Sequence, residues 1–436
     1  SIMKIGLIAM SGVRVRTPEL AELGVTLPQF VNRGKVVASL PSLGLLTVAA
    51  LTPDDVEVVY REIQDVNPDE QLELFDLVGI SSFSAQIDEA YGLADRYRAA
   101  GVPVVMGGLH VTLMPDESAH HADAVVLNGA EGAWQSLVED FRRGDLQPRY
   151  EGLRSGVFKP PSYVHPRFDL LRGRPYNRVT VQTSRGCPLN CEFCAASLRI
   201  TSAFQQKPVE FVIEEIKAAV SVTDQPFLEL ADDNTFINKK WGREFLRAIT
   251  PLGLNWFTET DVSIADDDEL LDLLAESGCR QILIGLESPS GSDLGQVDPR
   301  NWKQSRSDRY LEAIDKIQSR GVSVNGCFIL GLDGHTPDIF EEVSAFVERS
   351  GLLEVQLTVM TPFPGTPLYH RLHSEGRLLQ ERYWDRCTLF DVNYKPTGMS
   401  VEELETGLRW LFAQTYNEEQ FNKRKRNYIE IVKARL

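Results

Sequence analysis

Nowhere in the 436 residues does an apolar run approach the roughly 20 residues that a membrane-spanning helix needs. Basic residues are also in short supply. Lys and Arg total 45 against 62 Asp and Glu, leaving a net charge of −17. That balance argues against an extended nucleic-acid footprint, because neutralising phosphates takes clustered Lys and Arg. The six cysteines are too few for a disulfide scaffold. Histidine numbers seven, none of them between residues 1 and 109. The first residues show no basic, apolar leader with a small-residue end, so the expectation is a cytoplasmic protein. What remains, 43% hydrophobic and 25% charged, suits an ordinary globular chain long enough for two or three domains.

The first 141 residues alternate strand and helix patterns. Apolar runs at 5–9, 56–60, 77–81, 102–106 and 124–127 read as strands, with helices at 45–50, 87–100 and 132–141. Strands alternating with helices imply a parallel sheet wound on both faces, with ligands at the strand C-termini. Residues 11–41 have no clean period and read as a long excursion after the first strand. Residues 142–175, rich in Pro and Arg, read as a linker. Six further strands are expected at 178–182, 227–230, 256–260, 281–285, 324–330 and 354–360. Helices fall between them at 209–222, 241–249, 267–277, 307–320 and 337–349. Six such units make a partial (β/α)6 barrel over residues 176–395, with active-site residues at the strand ends. Residues 396–436 read as a helical segment opened by Ser400 as cap, with Glu403 three residues on. Within it, Lys423-Arg424-Lys425-Arg426 beside Phe421, Tyr428, Ile429 and Val432 suits a solvated helix end, the commoner case, or weak contact with anionic lipid or a partner.

Three cysteines fall within eight residues, in Arg185-Gly186-Cys187-Pro188-Leu189-Asn190-Cys191-Glu192-Phe193-Cys194, directly after the first strand of the second series. Three thiolates can hold one side of a cubane whose closure would take four, so one iron is left open for a small molecule. Zinc normally takes four ligands, and no further His or Cys is close enough in sequence to be an obvious fourth. Cys279, Cys327 and Cys387 read as small core residues.

The C-x3-C-x2-C spacing, with an aromatic Phe193 before the last cysteine, resembles the radical S-adenosylmethionine (SAM) superfamily. The resemblance implies a 4Fe–4S cluster on Cys187, Cys191 and Cys194. It also implies a SAM site drawn from Phe193, Glu229, Asp232, Glu287, Ser288 and Ile329. Asp232 and Asp233 read equally well as caps of the helix that follows. The first domain resembles the cobalamin-binding domain that precedes the barrel in one subclass. That likeness rests on Pro41-Ser42-Leu43-Gly44, Gly79-Ile80-Ser81-Ser82, Gly107-Gly108-Leu109-His110 and Gly129-Ala130-Glu131-Gly132. It implies cobalamin contacts at Ser42, Leu43, Ser82, Ser84, Gly107, Gly108, Gly129 and Glu131. The best-known version of that domain has Asp-x-His-x-x-Gly after an early strand. Here the stretch Asp65-Val66-Asn67-Pro68-Asp69 has no His. Either cobalamin binds without a protein ligand to cobalt, or the domain has lost it. His110 and His121 read as ordinary surface histidines.

The fold expected is therefore α/β: a doubly wound, Rossmann-like domain of cobalamin-binding type, a partial radical SAM barrel and a C-terminal helical segment. The resemblance implies a methyltransferase acting on an unactivated carbon, with a radical made from SAM and a methyl group passed on by the corrinoid. A cyclase or rearranging enzyme without methyl transfer is the alternative. A small-molecule, lipid or peptide substrate and an external one-electron donor of flavodoxin or ferredoxin type are implied with it. A tRNA methylthiotransferase would need a second cysteine triad and a basic module, and the sequence has neither. A SAM- or cobalamin-sensing binding protein would have no use for the intact triad.

Overall fold

A computed structural model describes residues 2–22, 40–176, 178–224, 226–289 and 309–434. Most of the 11–41 excursion, and the start of the helix expected at 307–320, lie outside the described residues.

The first sheet is wholly parallel. Its strands are β1 (Lys4–Met10), β2 (Glu57–Ile63), β3 (Leu77–Ser81), β4 (Val104–Gly107), β5 (Ala124–Leu127) and β6 (Arg149–Glu151). They run in the order β2-β1-β3-β4-β5-β6. The side chains of Leu77–Ile80 and Ala124–Leu127 are buried, as expected for strands covered by helices on both faces. In this order the chain changes direction between β1 and β3, where a crevice opens beyond the strand ends. Two features were not expected from the sequence. Short helices at Leu109–Leu113 and Pro115–Ala119 follow β4. The linker also contributes β6, so the first sheet extends past residue 141; a three-residue edge strand such as Arg149–Glu151 is too short to show a period.

After Val179–Val181 (β7), the pair Ser184–Arg185 (β8) and Gln205–Gln206 (β9) forms a small antiparallel clip around the cysteine loop. The second large sheet adds β10 (Phe227–Leu230), β11 (Asn255–Thr260), β12 (Cys279–Glu287), β13 (Ser323–Leu330) and β14 (Glu354–Val359). It is parallel in the order β14-β13-β12-β11-β10-β7. Leu228, Leu230, Trp256, Ile282, Ile284 and Val324 face the helical layer and are almost wholly buried. Period-two alternation then turns Glu229, Glu259, Leu283 and Cys327 to the opposite, concave side. An irregularity between Gly285 and Glu287 breaks the pairing of β12 with β13 and leaves Glu287 at φ 67°. That conformation is strained for a residue with a side chain, and such strain gathers at working sites.

The helix Val401–Thr415 opens with a capping box: Glu403 N–H donates to Ser400 Oγ at 3.0 Å and Ser400 N–H to Glu403 Oε2 at 2.7 Å. In the last helix, Glu418–Lys433, Arg424 turns inward and donates to the carbonyls of Thr415 and Leu353. Lys423 pairs with Glu348, which leaves Lys425 and Arg426 as the exposed cations of that run. Among the described residues no helix is long and apolar enough to cross a membrane.

Between the barrel and these helices, residues 381–394 return to the first domain. Tyr383, Trp384 and Cys387 join its core against the helix Ile87–Ala99. Arg382 pairs with Asp88 and Glu117, while Asp391 accepts from the backbone of Arg16 and Thr17.

Candidate active site

The cysteine loop begins where β7 and β8 end and is held from several sides. Asp232, beyond β10, is completely buried. Its carboxylate accepts from Thr183 N–H (2.7 Å), Thr183 Oγ1 (2.6 Å), Ser184 N–H (2.9 Å) and Thr235 Oγ1 (2.9 Å). Four donors use the acceptor capacity of a carboxylate, so Asp232 is committed to the strand that leads into the loop. Asp233 accepts from Ser197, whose hydroxyl in turn receives Gly186 N–H at 2.8 Å. Arg199 donates to the carbonyls of Cys191 and Cys194, both at 2.8 Å, and to Asn190 Oδ1 at 3.2 Å. Glu192 forms a two-pronged pair with Arg371 from the far end of the barrel (2.7 and 3.0 Å). Arg199, Ser197, Glu192 and Arg371 were not legible as site residues, because their roles depend on contacts across the fold.

Cys191 is buried, and Cys187 and Cys194 are half-buried. Burial, then the negative charge of Asp233 and the neighbouring thiols, pushes the Cys194 thiol above its ordinary range. Among the described residues, no three His, Cys, Asp or Glu side chains are placed to share a single ion. Three cysteines carried on one loop are a donor set that fits an iron–sulfur cluster with one iron left open.

Above the loop, the concave side of the barrel gathers carboxylates. Glu259 is pushed up to about 8 by burial and then by the charges of Asp233, Glu229, Asp232 and Glu287. Asp233 is pushed up to about 6, chiefly by burial. Glu229 pairs at 2.8 Å with Arg178, itself buried over the Phe257 ring. Glu287 is buried at the irregular end of β12. Ser288 is fully enclosed 3.2 Å from His335 Nε2. Since His335 Nδ1 accepts from Leu332 N–H, Nε2 bears the proton and donates to Ser288 Oγ. Ile329 is buried on β13 and Phe193 is half-buried in the loop. A crowded carboxylate group that stays partly protonated is primed for a cationic ligand. Asp232 is likewise raised by burial, and Glu259 lies in no motif by which the sequence would reveal it.

Two cavities open beyond the first sheet. The larger, about 600 Å³, lies between the domains: Ser42, Ser82, Ser84 and His110 face Thr180, Gln182 and Ala231 of the barrel and Phe363 and Leu389 beyond it. The smaller, about 220 Å³, runs along the sheet and is lined by Leu43, Gly107, Gly108, Gly129 and Glu131. Each of the eight residues expected near a corrinoid therefore lines one cavity or both. Gly108 sits at φ 105°, and a side chain there would meet Ser81 Oγ at 3.0 Å. The glycine lets the loop pass close over β3.

His110 departs from the expectation of a surface residue. It is buried, with Nε2 3.1 Å from Glu117 and Nδ1 2.7 Å from Ser84 Oγ. A carboxylate only accepts, so Nε2 bears the proton and Ser84 donates to Nδ1. The burial comes from Trp384, whose ring meets His110 edge-on and whose segment lies more than 260 residues away, at a distance where local polarity is no guide. His121 is partly exposed, stacked on Tyr91 and paired with Asp95.

Comparison with known proteins adds three matches along the chain. A radical SAM superfamily model matches residues 181–347, a B12 binding domain model residues 31–138, and a domain of unknown function (DUF4070) residues 366–435. Bacteriochlorophyllide d C-12(1)-methyltransferase of Chlorobaculum tepidum is 25% identical over 403 residues, 90% of this chain and 86% of that protein. Hopanoid C-2 methylase of Rhodopseudomonas palustris is 27% identical, covering 79% of this chain and 67% of its own length. The anaerobic magnesium-protoporphyrin IX monomethyl ester cyclase of Rubrivivax gelatinosus is 24% identical, covering 83% and 68%. In fold, the chain is similar to the cobalamin-dependent SAM radical enzyme OxsB with aqua-cobalamin bound (TM-score 0.70, 13% identity, 99% of this chain and 72% of that one). It is also similar to the radical SAM methyltransferase TsrM from Kitasatospora setae (TM-score 0.65, 14% identity, 99% and 100%).

Proposed function

Since this chain belongs to the radical SAM superfamily and bears a B12-binding domain ahead of its barrel, we propose that it is a methyltransferase that methylates an unactivated carbon. The observation that carries the reading is the 600 Å³ cavity, which one wall of first-domain serines and one wall of barrel strand ends enclose together. When bound, the cluster supplies one-electron cleavage of SAM and the corrinoid supplies methyl transfer, chemistry that belongs to the cofactors. The chain's residues bind, orient and exclude water.

In this reading Cys187, Cys191 and Cys194 hold the cluster, and Arg199, Glu192 and Arg371 fix the loop that bears them. Glu259 and Glu287 would hold the cationic part of SAM, and Phe193 and Ile329 its apolar part. Asp232, Glu229 and Ser288 act one step back, through Thr183, Arg178 and His335. The first-domain loops hold cobalamin, and no histidine ligates cobalt, because both nitrogens of His110 are already engaged. Met10, Val13, Leu40, Leu109, Phe363 and Leu389 give the large cavity an apolar part beside its serines, and the substrate is a small molecule, lipid or peptide. An external one-electron donor and a cytoplasmic location belong to the same proposal. Lys425, Arg426 and Ile429 would supply any weak lipid contact.

The cyclase among the relatives keeps a second outcome in view: radical chemistry on the substrate without methyl transfer. SAM with a deuterated methyl group separates the two. A methyltransferase of this type consumes two SAM per product and places the label on carbon; a cyclase gives an unlabelled product.

A further inference from the structure

Strand β12 ends in a strained turn. Ser288 N–H bonds back to the Leu286 carbonyl at 2.8 Å, with Glu287 between them at φ 67°. A three-residue turn closed around a positive φ is the rarer and more strained of the two γ-turns. Glycine would make the same turn without strain, but it would bring no carboxylate. Strain of this kind persists only where the surroundings over-determine it.

Two side chains supply that constraint, one on each side of Glu287. Tyr310, at the start of the helix Tyr310–Gln318, donates to the Leu286 carbonyl at 3.0 Å. His335 Nε2 donates to Ser288 Oγ at 3.2 Å. Tyr310, Ser288 and His335 are all almost wholly enclosed. The imidazole is carried on a turn that is itself pinned. His335 Nδ1 accepts from Leu332 N–H at 3.2 Å, and His335 N–H donates to the Leu332 carbonyl at 2.9 Å. Between them, the Asp333 carboxylate accepts from Arg371 (2.9 Å) and Arg377 (2.8 Å). Its carbonyl accepts from Thr397 Oγ1 at 2.7 Å. Gly398 lies so close over the turn that a side chain there would come within 2.1 Å of the His335 carbonyl. Arg371 also grips Glu192 in the cysteine loop. The end of β12 and the cysteine loop are thus held by the same short turn.

We propose that His335 and Tyr310 are positioning residues for SAM: they hold the strained turn that aims the Glu287 carboxylate. The inference rests on the reading of Glu287 given above. Each acts through its neighbour, Ser288 or Leu286, rather than by contact with the ligand. Without either bond the turn relaxes towards an ordinary φ, and the carboxylate leaves its place.

The test uses the full chain with its cluster reconstituted, and SAM itself as the probe. Affinity is read by equilibrium dialysis, and placement by the change SAM makes in the paramagnetic resonance of the reduced cluster. Ser288→Ala, His335→Asn and Tyr310→Phe should each weaken SAM binding by about tenfold, the scale of one buried hydrogen bond. Each should blunt the resonance change and leave iron content as it was. Asparagine can still accept from Leu332 N–H but presents nothing to Ser288. The longer glutamine can donate to Ser288, so His335→Gln should retain most of the affinity. Ser288→Ala combined with His335→Asn should bind no more weakly than either alone, because both remove the same bond. Unchanged affinity in Ser288→Ala or His335→Asn overturns the proposal, and so do additive losses in the pair. Equal losses in His335→Asn and His335→Gln overturn it too, since the ring would then serve only its own turn. Ser288→Ala and Tyr310→Phe each remove a single hydroxyl, and they decide the matter if His335→Asn does not fold. If Glu287→Gln binds SAM as tightly as the unaltered chain, the underlying reading of Glu287 fails, a result separate from all of these.

Discussion

At the scale of residues, thiols and carboxylates divide the work. Cys187, Cys191 and Cys194 stand apart from Cys279 and Cys387, which are buried in apolar cores. Replacing any one of the first three by Ala should remove most of the roughly four irons per reconstituted chain, because two thiolates cannot hold a cubane. Replacing Cys279, Cys327 or Cys387 should leave iron content intact; colorimetric iron analysis decides. The triad stands out in the sequence because its three cysteines lie within eight residues. The expectation for Asp232 was a SAM contact or a helix cap; its hydrogen bonds were not legible. Only the folded chain shows its oxygens taken up by Thr183, Ser184 and Thr235. Glu259 was not legible at all, since its environment is assembled from strands that the sequence keeps far apart. With its folded pKa near 8 and an ordinary value of 4.5, Glu259 is mostly protonated at pH 7. Between those values folding takes up a proton, so its contribution to stability falls as pH rises from 4.5 towards 8. Binding a cation reverses this and releases the proton. SAM binding at pH 7 should therefore show a calorimetric heat that varies with the buffer's ionisation heat, and Glu259→Gln should abolish most of that dependence. A buffer-independent heat in the unaltered chain would remove Glu259 from the SAM site.

Among the elements, strands and long helices were read well because burial imposes period two or 3.6 on them. Short elements and loops were not. The edge strand Arg149–Glu151 and the helices at 109–119 are too brief for a period, and 381–394 is irregular chain whose place is set by its partners. Those partners meet at Glu117. Burial opposes its charge, but hydrogen bonds from His110, Arg382, Tyr91 and Trp384 outweigh burial and hold its carboxyl well below the usual range. The stabilisation this gives is fully present above the ordinary value of 4.5 and is lost as pH falls below it. Acidification should thus loosen the 381–394 segment before the barrel melts, seen as loss of the Trp384 near-ultraviolet signal. Trp384→Ala should cost about 3–5 kcal/mol in denaturant unfolding, the range for deleting a buried aromatic. A loss under about 1 kcal/mol would mean that the segment is not docked in solution.

On the scale of the whole molecule, the two parallel sheets present their strand ends to a common space, and the cysteine loop lies where they meet. The sequence indicated each half and the resemblance supplied their order. That the connecting stretch would wall a cavity, through Phe158 and Tyr163, was hidden in its irregular composition. In the function proposed, one chain holds a cluster and a corrinoid together, with no histidine on cobalt. The most direct measurement is the electron paramagnetic resonance spectrum of the cob(II)alamin form, recorded on protein purified from cobalamin-fed cells with iron and corrinoid counted in the same sample. About four irons and one corrinoid per chain are expected, with cobalt lines free of axial nitrogen splitting. Nitrogen hyperfine coupling from a protein histidine, or iron without stoichiometric corrinoid, would contradict it.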